Sequence, residues 1–196
     1  MKKILAFATL LALTLSLFTA CGGSGNSVND VILASQLLSA EDATAIMGQT
    51  VEVEDREQPY MPFTDMVNYD LKGFNLSVWL MQEALHDKDS DLENDLVKNG
   101  WESYMQAMER ALAENKNDAI TIFKAEGIQG ASAYFQDGGA MGLWMLYIFY
   151  SEYRIAINLS NTSMSKEDTE EEIAWKQAKL VELGNCAVDN LAEIVG

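Results

Sequence analysis

Three features of the chain predict an α+β fold, an antiparallel sheet of about six or seven strands with helices packed on it. Short segments of alternating hydrophobicity occur in two groups. Helical periodicity precedes, separates and follows them. Residues 142–150 (GLWMLYIFY) form a nearly continuous apolar run of strand length, which reads as the central strand, buried on both faces. Strands that succeed one another through tight turns pair antiparallel, and helices then cover the sheet. The predicted order is helix, three strands, helix, three or four strands, helix.

Residues 31–38 are mostly apolar and pack under the first helix. Ser39-Ala40-Glu41-Asp42 is a capping box that starts this helix; Ala43, Ile46 and Met47 share one face, and Gly48 ends it. Residues 51–54 alternate as a half-buried strand does. Pro59 and Pro62 break the pattern into a loop over residues 58–63. Val67, Tyr69 and Leu71 alternate, Lys72-Gly73 turns the chain, and Phe74, Leu76, Val78 and Leu80 alternate again, which predicts a hairpin. Trp79 and Met81 fall on that strand's other face, so a second layer is expected there.

Ser90-Asp91-Leu92-Glu93 is a second capping box. A helical stripe runs on from it through Leu92, Leu96, Val97, Trp101, Tyr104, Met105, Met108 and Leu112, with Gly100 a point where the helix kinks or splits without breaking its phase. Residues 119–123 read as a short strand. Residues 127–136 lead to the hairpin turn Asp137-Gly138-Gly139, and Ser151-Glu152 turns the apolar run back into residues 154–159. Glu167, Asp168, Glu170, Glu171 and Glu172 load the start of a last helix, where negative charge suits the dipole. Its buried face is traced by Ile173, Gln177, Leu180, Gly184, Ala187, Leu191 and Val195.

The beginning of the chain has a different character. Lys2 and Lys3 precede the uncharged residues 4–18, and Phe18-Thr19-Ala20-Cys21 follows. A positive head, an apolar core and small residues at the end are the pattern of a secretory signal, too short and too abruptly ended for a membrane-spanning helix. Phe18-Thr19-Ala20-Cys21 resembles the lipobox of bacterial lipoproteins. That resemblance implies a signal peptide over residues 1–20, cleavage before Cys21 and a diacylglycerol on its sulfur. The Gly/Ser-rich residues 21–30 read as a flexible tether, and residues 31–196 as a single α+β domain. The expected location is the outer face of the bacterial cell membrane, reached through the lipid on Cys21.

Without the leader, 176 residues remain, enough for one well-packed domain. They carry eleven basic residues against thirty acidic ones, a net charge near −19. Phosphate backbones are repelled by such a surface, so nucleic acid is not an expected partner. Cys186 is the one cysteine left, so no intramolecular disulfide is available. Glu182 and Asp189 beside it on a helix raise its thiol pKa, which suits a structural role.

The capped helix around Leu37-Leu38-Ser39-Ala40-Glu41-Asp42-Ala43, the strands after it, and Gly127-Ile128-Gln129-Gly130-Ala131-Ser132-Ala133-Tyr134-Phe135 before two long strands resemble small PsbP-like, LpqN-like bacterial lipoproteins. The resemblance spans most of residues 31–195, rests on pattern rather than on an active-site motif, and implies the fold without implying an activity.

Few residues point to chemistry. Asp87, Asp89, Asp91 and Asp95 match positions 1, 3, 5 and 9 of an EF-hand-like calcium loop, but Leu92 stands where the turn needs Gly and Lys98 where Glu closes the site. An acidic loop whose Ser90 caps a helix accounts for the same residues. His86, the only histidine, lies beside Asp87 without a nucleophile-elbow motif. Zinc needs more nitrogen and sulfur ligands than His86 and Cys186 supply. No cofactor is expected. Tyr60, Met61 and Phe63 form an apolar cluster in a Pro-bounded loop and are the partner-binding candidates; the alternative is a loop that folds onto its own sheet. The expected function is a non-enzymatic binding or accessory module of the cell envelope, recognising a protein or a small ligand. The alternatives are an anchored hydrolase using scattered acids or His86, and a weak calcium-dependent adhesion or sensing module.

Overall fold

The computed structural model describes residues 31–54, 59–115, 120–137, 143–162 and 168–196. The fold is α+β: one open antiparallel sheet of seven strands with five helices packed on it. In chain order the elements are α1 (Ala34–Leu37), α2 (Ala40–Met47), β1 (Val51–Val53), β2 (Thr64–Leu71), β3 (Phe74–Met81), a 3-10 turn (Glu83–Leu85), α3 (Asp91–Leu96), α4 (Trp101–Glu114), β4 (Thr121–Lys124), β5 (Ser132–Asp137), β6 (Leu143–Tyr150), β7 (Tyr153–Asn161) and α5 (Glu170–Val195). The sheet order is β1-β2-β3-β7-β6-β5-β4. Both halves of the chain therefore meet where β3 pairs with β7, Leu76 opposite Leu159 and Val78 opposite Ile157. The middle position belongs to β7 rather than to β6, which lies one strand further on. The apolar run is nevertheless buried on both faces, as its composition requires: Leu146 and Ile148 on one side, Met145 and Phe149 on the other.

Alternation sorts the side chains into two cores. Leu76, Val78, Leu80, Leu146, Ile148, Ile155, Ile157 and Leu159 meet α1, α2 and α5 in the larger one. Phe63, Met81, Trp101, Met105 and Phe149 form the smaller one under α4, so the second layer expected behind Trp79 and Met81 exists. The approach of α5 to the sheet depends on Gly184. A Cβ there would come within 2.9 Å of Ile128 Cδ1 and Leu146 Cδ2 and within 3.0 Å of Ile148 Cδ1.

The first capping box forms as expected: Ser39 Oγ accepts from Asp42 N at 3.1 Å and Asp42 Oδ2 accepts from Ser39 N at 3.3 Å. The start of the body is pinned by polar side chains from the sheet. Buried Gln82 accepts from Ile32 N at 2.9 Å and donates to Ile32 O at 2.6 Å, while Asp65 Oδ2 accepts from Ala34 N at 2.6 Å.

Two helical expectations need correction. The stripe drawn through residues 92–112 divides at Gly100, whose φ of +91° no helix accommodates, and its first part has a different phase. In α3 Leu92 is 61% exposed and Leu96 is exposed, while Glu93 is buried at 1%. Packing follows the hydrogen bonds of Glu93, described below, instead of the apolar spacing. On α5, Val195 is exposed and Lys176 takes a buried position, because Asp168 neutralises its ammonium at 2.6 Å. Asp168 thus acts as an ion-pair partner rather than as part of the dipole-facing acids. The Asp137-Gly138-Gly139 turn lies, from Gly138 onward, outside the described residues, although β5 and β6 pair as the hairpin requires.

Candidate functional site

The loop before β2 and the segment between β3 and α4 meet at one end of the sheet, and most of the sequence-predicted residues lie there. Phe63 adopts φ +61° and turns inward, where its ring makes edge contacts with His86 at 5.5 Å, Trp101 at 5.3 Å and Tyr104 at 5.7 Å. It is 1% exposed, so its assignment as a partner-binding residue is corrected: it is core, driven inward by the hydrophobic effect. Met61 is half-buried, and Tyr60 is 71% exposed. The Tyr60 hydroxyl donates to Glu93 Oε1, and this bond with the nearby carboxylate charge pushes the phenol pKa up.

Glu93 is the hub of this corner. Its Oε2 accepts from Asp87 N at 2.7 Å, and its own N–H donates to Ser90 Oγ at 3.3 Å. Only half of the second capping box therefore forms, because the carboxylate reaches Tyr60 and Asp87 instead of Ser90 N. His86 Nε2 lies 3.1 Å from Asn94 Oδ1, and Asn94 Nδ2 donates to Lys88 O at 2.9 Å. Asp87 Oδ1 accepts from Asp89 N at 3.0 Å, closing the acidic loop on itself. The four aspartates Asp87, Asp89, Asp91 and Asp95 are spaced as a calcium loop but not folded as one. Among the described residues no three His, Cys, Asp or Glu side chains converge as a set that could hold a metal ion. The physical reason is the onset of α3 at Asp91, which straightens the chain where the calcium loop must curl.

Two clefts adjoin this corner. One, of about 450 Å³, is lined by Gln82, Glu83, Ala84, His86, Lys88, Glu152 and Tyr153. The other, of about 630 Å³, is bordered by Trp101, Met105 and Phe149 with Glu83, Glu102, Glu109 and Glu152. Trp101 Nε1 donates to Glu152 O at 2.8 Å and ties α4 to the β6–β7 turn. A hydroxyl nucleophile is not among the partners of His86, whose Nε2 is engaged by Asn94.

The sheet face under α4 carries a group that sequence reasoning missed. Arg154 opens β7 opposite Met81 and Phe149. Its Nη1 meets the Met108 thioether at 3.1 Å, its guanidinium carbon stands 5.7 Å from the Tyr147 ring centre, and its Nε is buried without a partner. Trp79 Nε1, on the same face, is also buried and unpartnered. Burial lowers the Arg154 pKa from its usual value, and burial raises those of Tyr147 and Tyr104 beside it. The available signal was a single basic residue at the head of a strand that carries no other charge.

Cys21 and the tether to residue 30 lie outside the described residues. Cys186 is half-buried, and its thiol pKa is raised by burial, then by Asp42 and Asp189. The rise expected from Asp189 is present; Asp42 of α2 takes the place of Glu182.

No family model matches this chain, and comparison with curated proteins and with solved structures finds no match either. Among the described residues no helix is long and apolar enough to cross a membrane.

Proposed function

We propose that the chain is a membrane-anchored extracytoplasmic lipoprotein of a bacterial envelope, held by lipid on Cys21, whose body is a non-enzymatic binding or accessory module of PsbP-like type. The observation that carries the reading is the leader itself: Lys2 and Lys3, the uncharged residues 4–18, and Phe18-Thr19-Ala20-Cys21 running into a Gly/Ser-rich stretch. Each buried acyl methylene contributes roughly 0.8 kcal/mol, so two chains on one sulfur hold a body that an anionic bilayer would otherwise repel. The body's geometry supports the binding half. Gln82 and Asp65 fix its first residues to one end of the sheet, next to the cleft containing His86. Polar groups at that corner are engaged in holding loops, which favours recognition over turnover.

Membrane fractionation of cells expressing the wild-type chain and Cys21→Ala tests the anchor. Wild type is expected in the detergent-soluble membrane fraction, with a diacylglyceryl-modified cysteine as its first residue by mass spectrometry. Retention of Cys21→Ala in the membrane as firmly as wild type would refute the anchor.

A further inference from the structure

An acidic chain encloses an arginine that no acid among the described residues neutralises. The chain has thirty carboxylates, yet among the described residues none pairs with Arg154. Its charge instead faces a thioether, an aromatic ring and, at Nε, no acceptor at all. Buried charges are ordinarily paired, because loss of hydration is not otherwise compensated. The indole N–H of Trp79 repeats the anomaly on the neighbouring strand.

Register places the two donors together. On the α4 side of the sheet, Trp79 is opposite Ala156, Ala156 is opposite Tyr147, and Arg154 is two residues along β7 from Ala156. A small residue thus lies between two large aromatic ones, with the guanidinium at its edge. Neither Arg154 nor Trp79 is fully enclosed, so the place is screened from bulk water while remaining reachable. The partly exposed walls are the Tyr147 ring and Met108, over a buried Ala156, and the unmatched groups are donors only. A guanidinium presents a planar fork that fits two oxygens of one anion, and an aromatic wall suits an apolar body attached to it.

We infer that Arg154 and Trp79 form the anion-recognising end of a site for a small organic carboxylate with an apolar or aromatic body, seated between α4 and the sheet. The carboxylate accepts from the Arg154 guanidinium and the Trp79 indole, and its body lies along Tyr147. This deepens the binding-module reading and rests on it, but it is independent of the anchor: binding is measured on the purified full chain wherever the cell keeps it.

Benzoate is the probe and benzamide, its neutral isostere, the control, with thermal unfolding and tryptophan fluorescence as readouts. Millimolar benzoate is expected to raise the wild-type melting temperature and change the fluorescence, and benzamide to do neither. Arg154→Met is expected to leave the ligand-free protein at least as stable as wild type and to weaken benzoate by about tenfold or more, the loss of one charge-assisted contact. Trp79→Phe keeps the ring and removes the N–H, and is expected to weaken benzoate by about threefold or more without loss of fold. Absence of any benzoate effect in the wild type, equal binding of benzamide, undiminished binding by Arg154→Met, or a response to inorganic phosphate in place of benzoate would each overturn the inference. The same results leave the fractionation outcome for Cys21 untouched, so the two readings fail separately.

Discussion

Asn in place of Asp168 removes a carboxylate that meets a buried ammonium. Asp168 Oδ2 and Lys176 Nζ are 2.6 Å apart, with side chains 4% and 1% exposed. Asp168 Oδ1 also accepts from Asn161 Nδ2 at 2.9 Å, so the acid links the end of β7 to the start of α5. At this depth, removing one partner of a buried ion pair costs about 3–5 kcal/mol. For a chain of this size each kcal/mol corresponds to roughly 2–4 °C, so Asp168→Asn is expected to lower the melting temperature by roughly 6–20 °C. The double variant Asp168→Asn with Lys176→Met removes both charges and keeps an acceptor for Asn161. It is expected to return within about 1 kcal/mol of wild type, since apolar replacement of a buried pair is often neutral or favourable. Urea unfolding of wild type, Asp168→Asn, Lys176→Met and the double variant completes the cycle, and its coupling energy measures the pair. A loss below about 1 kcal/mol for Asp168→Asn, the range of exposed pairs, would show that water reaches the ammonium and would refute the reasoning.

Two further substitutions test neighbouring statements. Tyr69 is 1% exposed and its hydroxyl donates to Leu38 O, so Tyr69→Phe strands a buried carbonyl and is expected to reduce stability by about 1–3 kcal/mol in the same urea assay. The Cys186 thiol is held protonated by burial and by Asp42 and Asp189, so iodoacetamide is expected to alkylate it more slowly than free cysteine at pH 8, with the difference shrinking as pH rises; equal rates would contradict the raised pKa.

Alternation and capping chemistry were enough to outline strand and helix segments, though not the order of the strands in the sheet. Val67, Tyr69 and Leu71 and then Leu76, Val78 and Leu80 alternate in the sequence, and they occupy one face of β2 and β3 in the structure. These signals are local: the pleat repeats every two residues, and Ser39 needs only Asp42, three residues on, to start a helix. Periodicity failed where a distant partner reassigned a side chain. Glu93 displaced Leu92 from the interior because Tyr60, thirty-three positions away, and the amide of Asp87 supplied its bonds. Phe63 looked like a loop residue offered to a partner, and became core only because α4 brought Trp101 and Tyr104 over it.

By itself, then, the order of residues determined the acidic balance, most strand and helix segments, and burial on both faces of the apolar run within residues 144–149, all of which depend on composition or on spacing within a few turns. Only the folded sheet decided which strand is central, which acid faces Lys176, and that Arg154 lies beneath α4 beside Trp79 with no carboxylate among the described residues to meet it. Those outcomes depend on pairing between segments far apart in the chain, and the free energy of a buried charge is set by whatever such pairing places next to it.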